Sequence, residues 1–132
     1  MYVKSLEYDN WEDTRSVDER IDNPSLSDIE LAIRAIDGNR RQGIILLGAS
    51  DAHLAVGGGS GGQFVVYVTF DNERFFCATS NNNGGSIVRL QVGGQEGEYP
   101  SHLIVNLDQA LAAAQMFARF GQLDPELRWS ER

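Results

Sequence analysis

Apolar residues recur at helical spacing early in the chain and predict a helix over about 25–37. The apolar positions that share its buried face are Ile29, Ala32, Ile33 and Ile36. Two pairs of residues are suited to a capping box at its start, Ser25 with Asp28 or Ser27 with Glu30. Gly38 follows the last apolar position, so we expect it to end the helix as a left-handed C-cap.

A second helical pattern lies near the end of the chain, where Asn106 is predicted to cap a helix together with Gln109. Its apolar face consists of Leu107, Leu111, Ala114, Phe117 and Ala118. Gly121 is predicted to end it. The tail beyond carries Trp129, a large aromatic residue that we expect to pack back onto the domain.

Between the two helices the pattern changes to short apolar runs separated by turns. The runs predicted as strands are 43–48, 53–56, 63–70, 74–79, 87–92 and 102–105. The segments predicted as turns or loops are the glycine run 57–62 and the stretches 71–73, 81–85 and 93–100. Strands joined by turns pair antiparallel. We therefore predict an α+β fold with a single antiparallel sheet of about five to seven strands and two main helices on one face.

The length of the chain indicates one domain. It has 132 residues, of which 42% are hydrophobic, and this is enough to bury one core. There are no internal repeats and no linker, so we predict a single domain over 1–132. Residues 1–22 are polar and charged, and they are predicted to form an N-terminal arm or an edge strand that starts around Tyr2 and Val3. The core of the domain is predicted over 23–129.

The sequence also indicates the compartment. No segment has the roughly 18 to 20 consecutive apolar residues that cross a bilayer. The first eight residues lack the basic start, apolar run and cleavage site of a secretory signal. A single cysteine, Cys77, leaves no internal disulfide. We therefore expect a cytoplasmic protein that does not bind membranes.

The net charge is −8, and it is concentrated near the start of the chain. Residues 1–30 contain nine acidic side chains against three basic ones. This distribution argues against nucleic-acid binding, which needs clustered lysine and arginine. An acidic surface attracts a basic protein partner, although acidic surfaces also serve solubility alone.

Candidate catalytic or metal-binding residues are few. His53 and His102 have no second histidine or cysteine at metal-ligand spacing, and Cys77 follows two phenylalanines in a predicted strand. The glycine run 57–62 lacks the Lys-Ser/Thr ending and the following helix of a phosphate loop, so we interpret it as a hairpin tip. We expect no catalytic residues, no metal and no cofactor.

The loop predicted over 93–100 is the best candidate for a partner-binding site, because it combines glycines with carboxylates, an amide and an aromatic ring. The residues proposed to contact a partner are Gln95, Glu96, Glu98 and Tyr99, with Asp71 and Glu73 at the turn predicted to neighbour them. A plain solvated loop is the alternative. Glycosidase carboxylates normally come from separate elements, which argues against an acid–base pair of Glu96 and Glu98.

An ordered set of motifs resembles the immunity proteins of bacterial polymorphic toxin systems that are paired with nucleic-acid deaminase toxins. The motifs are Asn23-Pro24-Ser25, Asp28-Ile29-Glu30-x-Ala32-Ile33, Asp37-Gly38, Gly57-Gly58-Gly59, Gly93-Gly94-x-x-Gly97-Glu98-Tyr99-Pro100, and Leu107-x-x-Ala110-Leu111-x-Ala113 with Phe117, Gly121 and Trp129. The resemblance covers roughly 23–129, and its specificity lies in the order and spacing of the motifs.

The resemblance implies a non-catalytic inhibitor. It implies a 1:1 complex with a cognate toxin domain, a zinc-dependent nucleic-acid (cytosine) deaminase, whose substrate-binding cleft the inhibitor blocks. Two alternatives stay open: a self-associating or subunit interaction module, and a small hydrolase built on Glu96, Glu98, or Cys77 with His102.

Overall fold

The computed structural model describes residues 1–81 and 84–132 of the chain. The described strands are β1 (Ser5–Glu12), β2 (Arg15–Asp22), β3 (Gly43–Leu47), β4 (His53–Gly58), β5 (Phe64–Thr69), β6 (Phe75–Thr79), β7 (Ile87–Val92), β8 (Gln95–Pro100) and β9 (Arg128–Glu131). The α-helices of the same ranges are α1 (Leu26–Arg34) and α2 (Leu107–Phe120), and short 3₁₀ turns cover Ser60–Gly62 and Ser101–Leu103. The predicted turn 81–85 contains positions 82 and 83, which lie outside the described residues.

Seven of the described strands form one antiparallel sheet in the order β2-β1-β3-β4-β5-β6-β9, while β7 and β8 pair as a separate two-stranded sheet. The predicted α+β class is therefore confirmed, and so is the antiparallel sheet with two helices. The pattern of the sequence does not predict that β7 and β8 leave the main sheet.

Both helices pack on one face of the main sheet. The registers place Leu6, Leu46, Leu54 and Val68 in one row across four strands, and each of them is fully buried. This row joins one core cluster with Ile29 and Ile33 of α1 and with Ala114 and Phe117 of α2. Burial of such an apolar layer is the main force that holds the helices to the sheet.

Three of the four predicted helix caps are present, and one helix is shorter than predicted. Ser25 and Asp28 form a capping box at the start of α1, and Asn106 and Gln109 form another at the start of α2. Gly121 ends α2 in a left-handed conformation. The helix predicted to reach residue 37, with Gly38 as its left-handed C-cap, ends at Arg34 instead, and its C-cap is Ala35 in a right-handed conformation. The amide of Ile36 donates to the carbonyl of Ile33, a tighter turn that closes the helix before Gly38.

Residues 1–22, predicted as an arm or an edge strand, form the β1–β2 hairpin. β2 is the edge strand, whereas β1 lies inside the sheet between β2 and β3. Leu6 and Ile21 are paired in the register on the helix side. The remaining positions of the hairpin are mostly polar, because little of it lies beneath the helices, and so the sequence shows no regular alternation.

Two predictions between β7 and α2 are wrong. The predicted loop 93–100 contains β8, whose backbone pairs with β7 along its whole length. The predicted strand 102–105 is a 3₁₀ turn followed by a single bridge between Val105 and Phe64. The carbonyl of His102 accepts from the amide of Ser80, a loop contact that takes the place of a strand ladder.

Candidate partner-binding surface

The face of the main sheet opposite the helices is apolar at its centre. The registers place Ile45, Ala55, Tyr67 and Cys77 in one row across β3 to β6 on this face. Ile45 is 38% exposed, and Ala55 and Tyr67 are half-buried. A sheet covered on one side normally carries polar side chains on the other. An apolar row at these positions therefore marks a surface suited to contact with another molecule.

The β7–β8 hairpin forms a wall along one end of this face. Val92 of β7 packs directly on Gly57, where an added Cβ would come within 2.8 Å of its Cγ1 atom. The buried side chain of Leu90 packs on Gly58 in the same way. The base of the hairpin lies beside Ser80 at the end of β6, since the amide of Ser80 donates to the carbonyl of His102.

The tip of the hairpin is held at the far side of the sheet. The amide of Gly94 donates to Oε1 of Gln42 over 2.7 Å, and the buried side chain of Gln42 also donates to the carbonyl of Asn39. The indole ring of Trp11 covers Gly94. The hairpin thus crosses the strand ends from β6 to β1, and both of its ends are tied to the main sheet.

Floor and wall together enclose an open groove of about 530 Å³. Its lining includes Ile45, Ala55, Gly57, Val65, Tyr67 and Cys77 from the sheet, Val92, Gly93 and Tyr99 from the hairpin, and Leu103. Three carboxylates of the β1–β2 hairpin, those of Glu7, Asp9 and Asp18, line the groove on its β1–β2 side. We call this feature the sheet groove.

The three carboxylates differ in the hydrogen bonds and ion pairs that they already form within the protein. Asp9 accepts from the amides of Gln42 and Gly43 and from the indole of Trp11, so its charge is directed inward. Glu7 lies 3.8 Å from the guanidinium of Arg20. Asp18 is paired with Asp9 in the register and is exposed to solvent.

Four residues predicted to contact a partner lie on β8. They point to both sides of the hairpin, because successive side chains of a strand alternate. Tyr99 lines the sheet groove, with its ring over Gly97, and Gln95 has the same parity along the strand. Glu96 and Glu98 point to the opposite, exposed side, where Glu98 lies 3.6 Å from Arg89.

Asp71 and Glu73 do not adjoin β8. They lie in the β5–β6 turn, at the end of the strands opposite to the β7–β8 hairpin. The side chain of Asp71 accepts from the amides of Arg74 and Glu73, both over 2.9 Å, and these bonds hold the pKa of Asp71 below its ordinary value. Asp71 thus has a structural function in its own turn.

A known protein family matches nearly the whole chain. The sequence model described as immunity protein Imm1 matches residues 6–131 of the chain. This chain belongs to the Imm1 family. The match begins within β1, so the β1–β2 hairpin is part of the Imm1 domain, although the resemblance visible in the sequence begins only at residue 23. Among curated proteins, the search found no match.

Membership of the Imm1 family makes the chain an immunity protein and implies a cognate toxin as its partner. In the described ranges, no helix is both long and apolar enough to cross a membrane. The same ranges contain no group of three or more histidine, cysteine or carboxylate side chains arranged to hold a metal ion.

The residues considered for a hydrolase lie on different elements. Cys77 is buried on the groove floor beside Tyr67, and burial raises the pKa of the Tyr67 hydroxyl. The hydroxyl lies 3.4 Å from Nε2 of His53. His102 is in the 3₁₀ turn after β8, and Glu96 and Glu98 point away from the groove.

The sheet groove is a surface that our sequence analysis did not identify. Ile45 and Asp18 line it, yet neither was singled out. The signal is present in the run Ile44-Ile45-Leu46-Leu47, which is apolar at both parities. In a sheet with one covered face, such a run indicates an apolar surface on the other face as well.

Two adjacent glycines at the hairpin tip give a test of how the wall is held. Gly94→Ala is expected to lower the free energy of unfolding by about 2 kcal/mol and to shift the fluorescence of Trp11, because φ is +84° and the new Cβ would lie 2.3 Å from the indole. Gly93→Ala is the control, with φ of +61° and no described atom within 4 Å. We expect it to cost about 1 kcal/mol without a spectral change. Identical spectra for the two variants would contradict the packing of Trp11 on Gly94.

Proposed function

We propose that this immunity protein binds the catalytic domain of a nucleic-acid deaminase toxin in a 1:1 complex in the cytoplasm, and that it acts as a non-catalytic inhibitor by covering the substrate cleft. A zinc-dependent cytosine deaminase is the proposed toxin. Its active-site residues would be shielded from DNA or RNA rather than altered chemically.

The observation that carries the proposal is the acidic β1–β2 hairpin beside the sheet groove. Residues 5–22 hold seven acidic side chains against two arginines. An enzyme that acts on DNA or RNA needs a basic channel for the phosphates. An acidic surface on the inhibitor is complementary to that channel, and such complementarity raises the rate of association.

The contact residues proposed on β8 are Gln95, Glu96, Glu98 and Tyr99. An aromatic ring at the groove wall and carboxylates on the outer side of the same hairpin offer an anchor and partners for lysine or arginine. Asp71 and Glu73 join the same contact only if the toxin spans the whole length of the strands.

The test uses the toxin domain encoded by the neighbouring reading frame. We expect co-expression of this chain to protect cells from that domain, and the purified pair to elute as a 1:1 complex. The association rate is expected to fall about tenfold or more between low and high salt, because salt screens the charges that guide the encounter. An inhibited toxin without deaminase activity would remove the deaminase part of the proposal alone. Absence of both binding and protection would remove the whole of it.

A further inference from the structure

We infer that the sheet groove is the docking site for the toxin, and that its occupant is a toxin segment with an apolar or aromatic side chain flanked by lysine or arginine. The inference rests on the proposed function and specifies the surface and the chemistry of the partner.

The floor of the groove offers an apolar surface to a partner. Ile45, Ala55 and Tyr67 form a contiguous row on three neighbouring strands. Val65, two residues before Tyr67 on β5, lies on the same face and extends this apolar area. The removal of these apolar side chains from water is favourable, so their burial by a partner would stabilise a complex. In the described ranges both helices pack on the opposite face of the sheet, and Ile45 in this row is 38% exposed, so the row is open to contact with another molecule.

The wall of the groove is held in a fixed position on the sheet. Val92 is seated on Gly57, and the hairpin tip is fixed by the bond from Gly94 to Gln42. A surface held in this way loses little conformational entropy on binding, and such preorganisation increases affinity. The groove is therefore present before the partner arrives.

Charge complementarity selects the occupant. The apolar floor is bordered on its β1–β2 side by Glu7, Asp9 and Asp18, while Arg132 lines the groove just after β9, at the opposite edge of the sheet. Of the three carboxylates, Asp9 is engaged with backbone amides and Asp18 is exposed. A purely apolar partner would bury the charge of Asp18 at a cost, whereas a partner with lysine or arginine beside its apolar anchor would pair with it. The same partner surface is the one expected next to a phosphate-binding channel.

The experiment uses the purified full chain and the catalytically inactivated toxin domain from the neighbouring frame. Two pairs of matched variants separate the groove from the rest of the surface. Asp18→Lys reverses a charge in the groove, and Glu19→Lys makes the same change on the next residue of β2, which points to the other side of the sheet. Ile45→Lys puts a cation on the groove floor, and Leu31→Lys does so on the exposed side of α1, where Leu31 is 65% exposed.

We expect Asp18→Lys and Ile45→Lys each to weaken binding by about 30-fold or more, as at an interface hot spot. Glu19→Lys and Leu31→Lys are expected to stay within about threefold of the unmodified chain, apart from the salt-dependent steering that all charge reversals share. Thermal unfolding of each variant checks that the fold is retained. Asp18 lies on an exposed edge strand, so this pair keeps the test valid if Ile45→Lys is unstable.

Three results would overturn the inference. Equal weakening by Asp18→Lys and Glu19→Lys would show that net charge matters and the groove does not. Undiminished toxin binding by folded Asp18→Lys and Ile45→Lys would place the interface elsewhere, while the proposed function would stand. A dimer of the isolated chain that Ile45→Lys dissociates, with toxin binding unchanged, would assign the groove to self-association. Failure of the unmodified chain to bind the toxin is a separate outcome, which removes the proposed function and the inference together.

Discussion

Replacing Phe117 with alanine is expected to lower the free energy of unfolding by about 3 to 5 kcal/mol, the usual effect of deleting a buried aromatic ring. Phe117 is completely buried in the last turn of α2. Its ring meets the edge of Tyr2 at a centroid distance of 5.5 Å and lies 6.3 Å from the ring of Phe70. The substitution therefore removes contacts that join α2 to the start of the chain and to the end of β5, and it leaves a cavity between them.

Phe120→Ala is the matched control for this prediction. Phe120 belongs to the same helix but is 54% exposed, with the guanidinium of Arg119 5.0 Å from its ring centroid. We expect its loss to change the free energy of unfolding by no more than about 0.5 to 1 kcal/mol. Urea denaturation followed by circular dichroism measures both variants. Similar losses for the two would contradict the central place of Phe117 in the core.

The Phe117→Ala variant also separates stability from recognition. Phe117 lies on the helix side of the sheet, away from the sheet groove. The folded fraction of the variant is therefore expected to bind the toxin as well as the unmodified chain does. Protection of cells would decline only through a lower amount of folded protein. A weaker affinity of the folded variant would show that the helix layer takes part in binding.

The parts of the fold that could be predicted from the sequence are those set by local chemistry. The capping boxes of Ser25 and Asn106 and the C-cap at Gly121 involve residues a few positions apart, and the structure confirms all three. The sequence also predicts those strands of the main sheet that consist of a short apolar run, because consecutive apolar residues indicate a buried strand.

The parts that could not be predicted depend on partners far apart in the chain. β8 is mostly polar, and it becomes a strand because β7 pairs with it and Gln42 holds the turn before it. β1 becomes an inner strand because β3, about forty residues later, pairs with it. Neither pairing has a local signal, since the polar side chains of these strands face solvent or the groove.

The same reason limits the prediction of the site. The sequence predicts the contact residues of segment 93–100 from residue type alone. In the structure, the alternation of side chains along β8 places Tyr99 on one side of the hairpin and Glu96 and Glu98 on the other. The charge near the start of the chain and the hairpin at 93–100 were considered separate features. The fold places Trp11 against Gly94 and Asp18 beside the groove, so that the acidic β1–β2 hairpin and the β7–β8 hairpin border one surface. The acidic strands and the residues proposed to contact the toxin thus belong to one region of the molecule.

The second large effect is expected at the β4–β5 connection, where Gly59→Ala should lower the free energy of unfolding by about 3 kcal/mol. Gly59 has φ of +95°, and an added Cβ would lie 2.5 Å from the carbonyl oxygen of Ile36. Backbone atoms cannot turn away as a flexible side chain does, so the segment after α1 must shift. The neighbouring Gly58 supports Leu90 of the hairpin wall, and a shift there would disturb the groove too.

Gly61→Ala is the control that isolates the close approach from the backbone conformation. Gly61 lies in the same connection with φ of +63°, and no described atom lies within 4 Å of the position that an added Cβ would take. An alanine there is expected to cost only about 1 kcal/mol, the strain of a left-handed residue. Urea denaturation gives the two losses, and toxin affinity should fall for Gly59→Ala alone. Equal losses would mean that positive φ accounts for the whole effect, and that the contact between Gly59 and Ile36 does not hold the end of α1 against the β4–β5 connection.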